Sequence, residues 1–192
     1  MSDSIFFVED FPKLVLLTTI LRNNYQKLLK YTLNIYKNKK FSEIERDPGM
    51  WDKEDADKFL KNVDEEWIKG PHPGWYNYIL MRKKRLHVKD WLTDLLTPFC
   101  PLINMCGLSY LSPEAEILPH IDHATTFNTG QLAYHFNIIG KGSIIKVEET
   151  STEQIPGQAF LFDSGVTHSV KNGNQHRILL YIDLDLNEVD NI

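Results

Sequence analysis

From Leu102 to Leu184 the chain is a succession of short apolar runs separated by turn residues. In order they are "LINMCGLSYL", "AEILPHI", "LAYHFNII", "SIIKVEE", "AFLFD", "HSVKN" and "RILLYIDL". Several alternate apolar with polar residues, the period of a strand with one buried face. The punctuation "GKG" at 140–142, "PGQ" at 156–158 and "NGN" at 172–174 is turn chemistry. Six to eight antiparallel strands at roughly ten-residue spacing can bury their apolar faces only by folding over one another, as a jelly roll or a closed barrel.

Before residue 100 helical periods dominate. Leu14, Leu17, Leu21, Tyr25, Leu28 and Leu29 recur at steps of three and four, predicting an amphipathic helix with Pro12 near its start. "DKEDADKFLKNVDEEW" reads as a second helix, with Phe59, Leu60, Val63 and Trp67 as its apolar face. "GPHPGW" is a break, and "VKDWLTDLLTPF" a third, short helix ending before Pro98. The expectation is therefore one structural domain. A helical region over 1–100 packs on a β core over 101–187, which has the cupin type of architecture.

The bulk numbers bound the partners. With 192 residues and a formal charge of −5, the chain has no global basic field for nucleic acid. Arg82-Lys83-Lys84-Arg85 is a local exception and reads as a solvated turn. "LVLLTTIL" is too short to cross a membrane, and the acidic start does not read as a secretory signal. Cys100 and Cys106 read as buried thiols in a reducing compartment, so the expected location is cytoplasmic. The expected partner is a small-molecule or peptide substrate, with no nucleic acid and no membrane.

Chemistry concentrates in two stretches, "LPHIDHATTF" and "FDSGVTHSVKNGNQHRILLYIDL". On a strand, His120 and Asp122 point the same way and can address one point. His168, from a distant segment, would complete a set of two histidines and one carboxylate. Such a set leaves coordination positions open and suits non-haem Fe(II), although zinc accepts the same ligand types. Arg177 lies in an apolar strand, where a guanidinium is costly unless it meets a carboxylate. It suits the far end of a dicarboxylic acid. His123 and His176 should face away from the metal, and His72 and His87 sit in turn and charged contexts. Trp51, Trp67, Trp75 and Trp91 read as packing residues, while "GPHPGWYNY" could lie over the pocket mouth.

Taken together and in order, "LSYLSPEAEILPHID", "LAYHFNI", "GQAFLFDSGVTHSVKN" and "RILLYIDL" resemble the aspartyl/asparaginyl β-hydroxylase family of Fe(II)- and 2-oxoglutarate-dependent oxygenases, and the related bacterial proline hydroxylases. The resemblance runs from Leu108 to Leu184. It implies a mainly β fold, a double-stranded β-helix (jelly roll, cupin-like) with N-terminal helices packed on it. It implies a dioxygenase that hydroxylates an amino acid, free or within a peptide, with succinate and CO2 as co-products. His120 and His168 match the family's iron-binding histidines. Asp122 stands where some members have glycine and the proline hydroxylases have aspartate, which favours His120, Asp122 and His168 as the full set. Ser109 and Arg177 match the residues that hold the distal carboxylate of 2-oxoglutarate, and His135 a histidine near its other end. Asp163 and Ser164 match the turn that aims His168. The family usually carries a basic residue two positions before that matched histidine, and here Ala133 stands there. This departure supports the alternative of a catalytically silent cupin-like module that binds a small acid or a protein. A zinc or manganese cupin of another activity would leave Arg177 and Ser109 without a role.

Overall fold

A computed structural model describes residues 4–45, 65–122, 132–185 and 188. It shows a mainly β jelly roll of two sheets with helices on one outer face. The larger sheet begins with β1 (Ile5–Phe6), β2 (Phe41–Glu45), β3 (Trp67–Lys69), β4 (Trp75–Arg82) and β5 (Arg85–Leu86). It continues with β6 (Ile103–Leu111), β8 (Leu132–Ile139), β11 (Ala159–Asp163) and β13 (Arg177–Leu184). Its order is β1-β11-β8-β13-β6-β4-β3-β2, with β5 paired to β4. The smaller sheet is built from β7 (Glu116–His120), β9 (Ile144–Val147), β10 (Thr150–Glu153) and β12 (His168–Lys171), in the order β10-β9-β12-β7. Only the β2–β3 pair is parallel among the described pairings.

Two apolar clusters follow from this layering. Helices α1 (Pro12–Asn23) and α2 (Tyr25–Asn38) bury Leu14, Leu17, Leu21, Leu28 and Ile35 against the outer face of the larger sheet, on Leu108, Tyr134, Phe136, Ile178 and Leu180. The Tyr25 hydroxyl donates to Ile138 O (2.7 Å), and the Thr18 and Tyr134 hydroxyls bond each other at 2.9 Å, which fixes the helix pair on β8. Between the sheets a second cluster joins Leu111, Ile117, Ala133, Ile145, Val147, Phe162 and Val170.

The N-terminal region departs from the helical expectation. The single helix expected across Leu14–Leu29 is two, broken at Asn24, whose side-chain amide donates to Ile20 O (2.9 Å) and competes with the helix ladder. Most of the second expected helix, residues 52–64 of 52–67, lies outside the described residues, as does Trp51. Its last member, Trp67, is in strand β3 instead, fully buried and stacked on Phe41 at 5.5 Å. β4 escaped detection because its last six residues are all buried, so period-two alternation is absent. The first hundred residues thus supply β1–β5 as well as helices. The third helix, α3 (Trp91–Leu96), starts at an Asp90–Thr93 capping box and runs into a 3-10 turn over Thr97–Leu102. The basic run is a tight turn with Lys83 and Lys84 at positive φ and exposed, but Arg82 is buried. Both cysteines are free thiols, and burial raises their pKa. Among the described residues no helix is long and apolar enough to cross a membrane.

Candidate metal centre and acid pocket

β7 and β12 lie side by side with His120 and His168 directly opposite, their rings 4.3 Å apart. Each ring is oriented by its own backbone. Nδ1 of His120 meets Leu118 O at 2.8 Å, and Nδ1 of His168 meets Val166 O at 3.0 Å. A carbonyl can only accept, so each Nδ1 carries the proton and each Nε2 keeps a lone pair free for a metal. Asp122 follows His120 off the strand end, and its amide donates to Ser164 O at 3.0 Å. Its carboxylate lies 3.5 Å from Nε2 of His120 and 3.7 Å from Nε2 of His168. Asp163 accepts from the Gly165 amide at 2.7 Å and so shapes the turn before His168, with Ser164 buried beside it.

The three donor atoms all lie within 4.8 Å of one another. Two ligands on one ion with bonds of about 2.1 Å sit about 3 Å apart at right angles and about 4 Å apart across the ion. The two carboxylate–imidazole separations fall inside that range. Burial lowers the pKa of His168, with Asp122 opposing, so the ring stays in the neutral form that can ligate. The set fits a divalent ion that takes nitrogen and oxygen together and leaves positions open.

The inner face of the larger sheet carries the second half of the site. Strand register places Leu179 opposite both Ser109 and Asn137, and Tyr181 opposite His135, so Arg177, Ser109, His135 and Asn137 share one face. Arg177 is 1% exposed. Its Nη1 donates to Oε1 of Gln154 (2.8 Å) and its Nη2 to Oγ of Ser109 (3.3 Å). Ser109 also accepts from Nε1 of Trp75 at 2.9 Å. Nε of Arg177 has no hydrogen-bond partner, and no carboxylate among the described residues pairs with the guanidinium. Desolvation lowers its pKa to about 9. A buried cation in this state fits an anionic ligand.

Gln154 continues the chain, its Nε2 lying 3.2 Å from Nδ1 of His135. Burial first, then the Arg177 charge and His168, hold the His135 pKa down to about 3. The ring is therefore neutral. Beside it is a cavity of about 50 Å³ lined by His135, Asn137, Gln154, Gln158 and Phe160, room enough for water.

Of the residues singled out in the sequence, His120, Asp122 and His168 come together at one end, Ser109 and Arg177 at the other, and His135 lies between, joined to Arg177 through Gln154. Phe162 bridges the two, its ring 5.1 Å from both His135 and His168. Ala133 is buried in the inter-sheet cluster against Phe162. His176 bonds the Tyr110 hydroxyl at 2.8 Å, in an aromatic group with Tyr36. His123 lies outside the described residues. Two neighbours escaped sequence reasoning. His72, read as an ordinary turn residue, has its ring 5.8 Å from His120 and stacks on Trp75. The only signal was the aromatic "GPHPGWYNY" turn. Gln154 carried no signal at all, standing in the unassigned stretch between "SIIKVEE" and the "PGQ" turn.

The model of the family described as aspartyl/asparaginyl β-hydroxylase matches residues 20–186, extending well upstream of the Leu108 boundary read from the motifs. An uncharacterised protein of Acanthamoeba polyphaga mimivirus is 41% identical over 190 residues, covering 95% of this chain and 70% of its own. Among solved structures, a 2OG-Fe(II) oxygenase family oxidoreductase from Burkholderia pseudomallei is 13% identical, with a TM-score of 0.46 over 58% of this chain and 66% of its own. KdgF from a Halomonas species is also 13% identical, with a TM-score of 0.43 over 62% of this chain and 86% of its own. The sequence match over nearly the whole chain settles its kinship: it belongs to the aspartyl/asparaginyl β-hydroxylase family.

Proposed function

We propose that this chain is an Fe(II)- and 2-oxoglutarate-dependent dioxygenase that hydroxylates an amino acid, free or within a peptide. The observation that carries the reading is a pairing within one fold. Two imidazole lone pairs and a carboxylate converge at one end, and a buried guanidinium with no carboxylate partner among the described residues waits at the other. His120, Asp122 and His168 would hold the metal, and Arg177 with Ser109 would hold the distal carboxylate of the acid. When bound, the iron would let dioxygen, the oxidant, oxidise 2-oxoglutarate and the substrate together, one oxygen atom entering succinate and the other the new hydroxyl group, with CO2 released.

The chain's own part is orientation and exclusion of water. The carbonyls of Leu118 and Val166 fix both histidine tautomers, so that each Nε2 is available without rearrangement. Trp75 and Gln154 hold Ser109 and Arg177 in place. His135, held neutral, supplies a proton donor without adding charge between the two ends. Phe162 and the inter-sheet cluster line the space between them with apolar side chains. The reading is tested by adding Fe(II) and then 2-oxoglutarate anaerobically and recording the visible spectrum. A weak charge-transfer band is expected only with both present, and it should be lost in Arg177→Ala and His168→Ala.

Ala133 favours a second reading, a silent module that binds a small acid, because the usual basic contact is replaced by a buried methyl. Tight metal binding without any such band would support that module instead.

A further inference from the structure

Gln154 bonds both Arg177 and His135. Its orientation is forced. A guanidinium has only donors, so the amide oxygen must face Arg177 and the amide nitrogen must face His135. Nδ1 of His135 is thereby obliged to accept, and the ring proton is placed on Nε2. Gln154 is itself pinned. It is buried, its Oε1 also accepts from the Ser143 hydroxyl (3.3 Å), and its carbonyl accepts from Asn137 Nδ2 (2.7 Å).

We propose that Gln154 is a positioning residue that locks His135 as an Nε2–H donor for the keto-acid end of the cosubstrate. This would do with a neutral, fixed N–H what the absent basic residue at Ala133 does elsewhere in the family. The inference rests on the proposed function, since it concerns the same acid pocket. It assigns the 2-oxo acid contact to a polarity chain running Arg177, Gln154, His135, set by hydrogen-bond direction.

The test reads the tautomer directly. Metal-free protein with ring-15N-labelled histidine is examined by two-bond proton–nitrogen correlation, the His135 signals being assigned by their loss in His135→Gln. The wild type should show the proton on Nε2. Gln154→Glu keeps the acceptor for Arg177 but cannot donate to His135, so the proton should move to Nδ1. Gln154→Met, which keeps bulk and folding while removing both bonds, should show a mixture of tautomers. In parallel, 2-oxoglutarate affinity is measured with Zn(II) in place of iron, and Gln154→Met should bind about tenfold more weakly.

A wild-type proton on Nδ1, or a tautomer unmoved by Gln154→Glu, would overturn the inference. So would unchanged affinity in Gln154→Met. If 2-oxoglutarate binding is still lost in Arg177→Met, the proposed function survives that failure. Wild-type protein that binds no 2-oxoglutarate, with Arg177→Met indistinguishable from it, would overturn the proposed function and the inference with it.

Discussion

Replacing Arg177 with Met should leave the ligand-free protein at least as stable as the wild type, while abolishing its stabilisation by 2-oxoglutarate. The guanidinium is 1% exposed, and burial lowers its pKa well below the ordinary guanidinium value, to about 9. At ~1.4 kcal/mol per pH unit, a fall of that size corresponds to about 5 kcal/mol of desolvation cost at neutral pH, where the group is charged in both states. Two hydrogen bonds from a charged donor, to Gln154 and Ser109, return about 1.5–3 kcal/mol each. The two sums nearly cancel. Removing the charge also orphans neither acceptor, because Ser109 retains Trp75 and Gln154 retains Ser143. The expected change is therefore between zero and about 2 kcal/mol of added stability. In urea denaturation at pH 7 without metal, the midpoint should hold or rise. With Zn(II) saturating, 2-oxoglutarate at about 100 times its Kd should stabilise the wild type by about 2.7 kcal/mol, or about 5–10 °C in Tm, and the variant not at all. A loss of 3–5 kcal/mol in ligand-free Arg177→Met would refute the reasoning. That is the mark of a satisfied buried pair broken by losing one partner.

Three further outcomes follow from the same geometry. Asp122→Ala should weaken Fe(II) or Zn(II) binding by roughly 100-fold or more in a calorimetric titration, since its carboxylate faces both Nε2 atoms; unchanged affinity would mean a centre of two histidines alone. Stability of the metal-free protein should fall as pH drops below about 6.5, by up to about 1.4 kcal/mol per pH unit from His135. The sign follows from its pKa of about 3 in the fold: between the two values the unfolded chain takes up a proton that the folded chain refuses. His135→Gln should flatten that slope in pH-dependent denaturation. Gly107→Ala should cost about 1–3 kcal/mol, because a Cβ there would sit 2.6 Å from Tyr78 O and against the Tyr181 ring; an unaltered Tm would show that β4 and β6 can separate locally.

What the sequence made legible depended on which periodicity each segment obeys. β8, β11 and β13 fall on the expected runs to the residue, because turn chemistry bounds them and their apolar faces meet defined neighbours. β4 was invisible for the opposite reason: a strand paired on both sides and covered on both faces has no polar face to alternate with. The candidate metal triad was legible because His-x-Asp spacing can bring both side chains to one point and His168 carries its own turn, although Asp122 falls just past the end of β7 rather than on the strand. Arg177 was legible because a charge in a core strand demands an explanation. Gln154 and His72 act through neighbours that lie far away in sequence, so no local pattern of theirs could announce a role.

The division of the site between the two sheets explains why both halves are needed at once. The histidines that face the metal position stand on the smaller sheet, in strands β7 and β12, and each is aimed by a carbonyl from its own chain segment. Arg177, Ser109 and His135 stand on the larger sheet, held in register by β6, β8 and β13. A ligand that reaches from the metal to Arg177 must therefore span the gap between the sheets, and its length is gauged by the packing that sets that gap. Phe162 is the side chain placed to do this. It belongs to the larger sheet, yet its ring meets His168 of the smaller one as closely as it meets His135. It also packs with Ile145, Val147 and Val170 of the smaller sheet, so the two ends of the site cannot shift independently without opening a void at its ring. The inter-sheet core is thus both what folds the jelly roll and what fixes the distance between the candidate metal centre and the acid pocket.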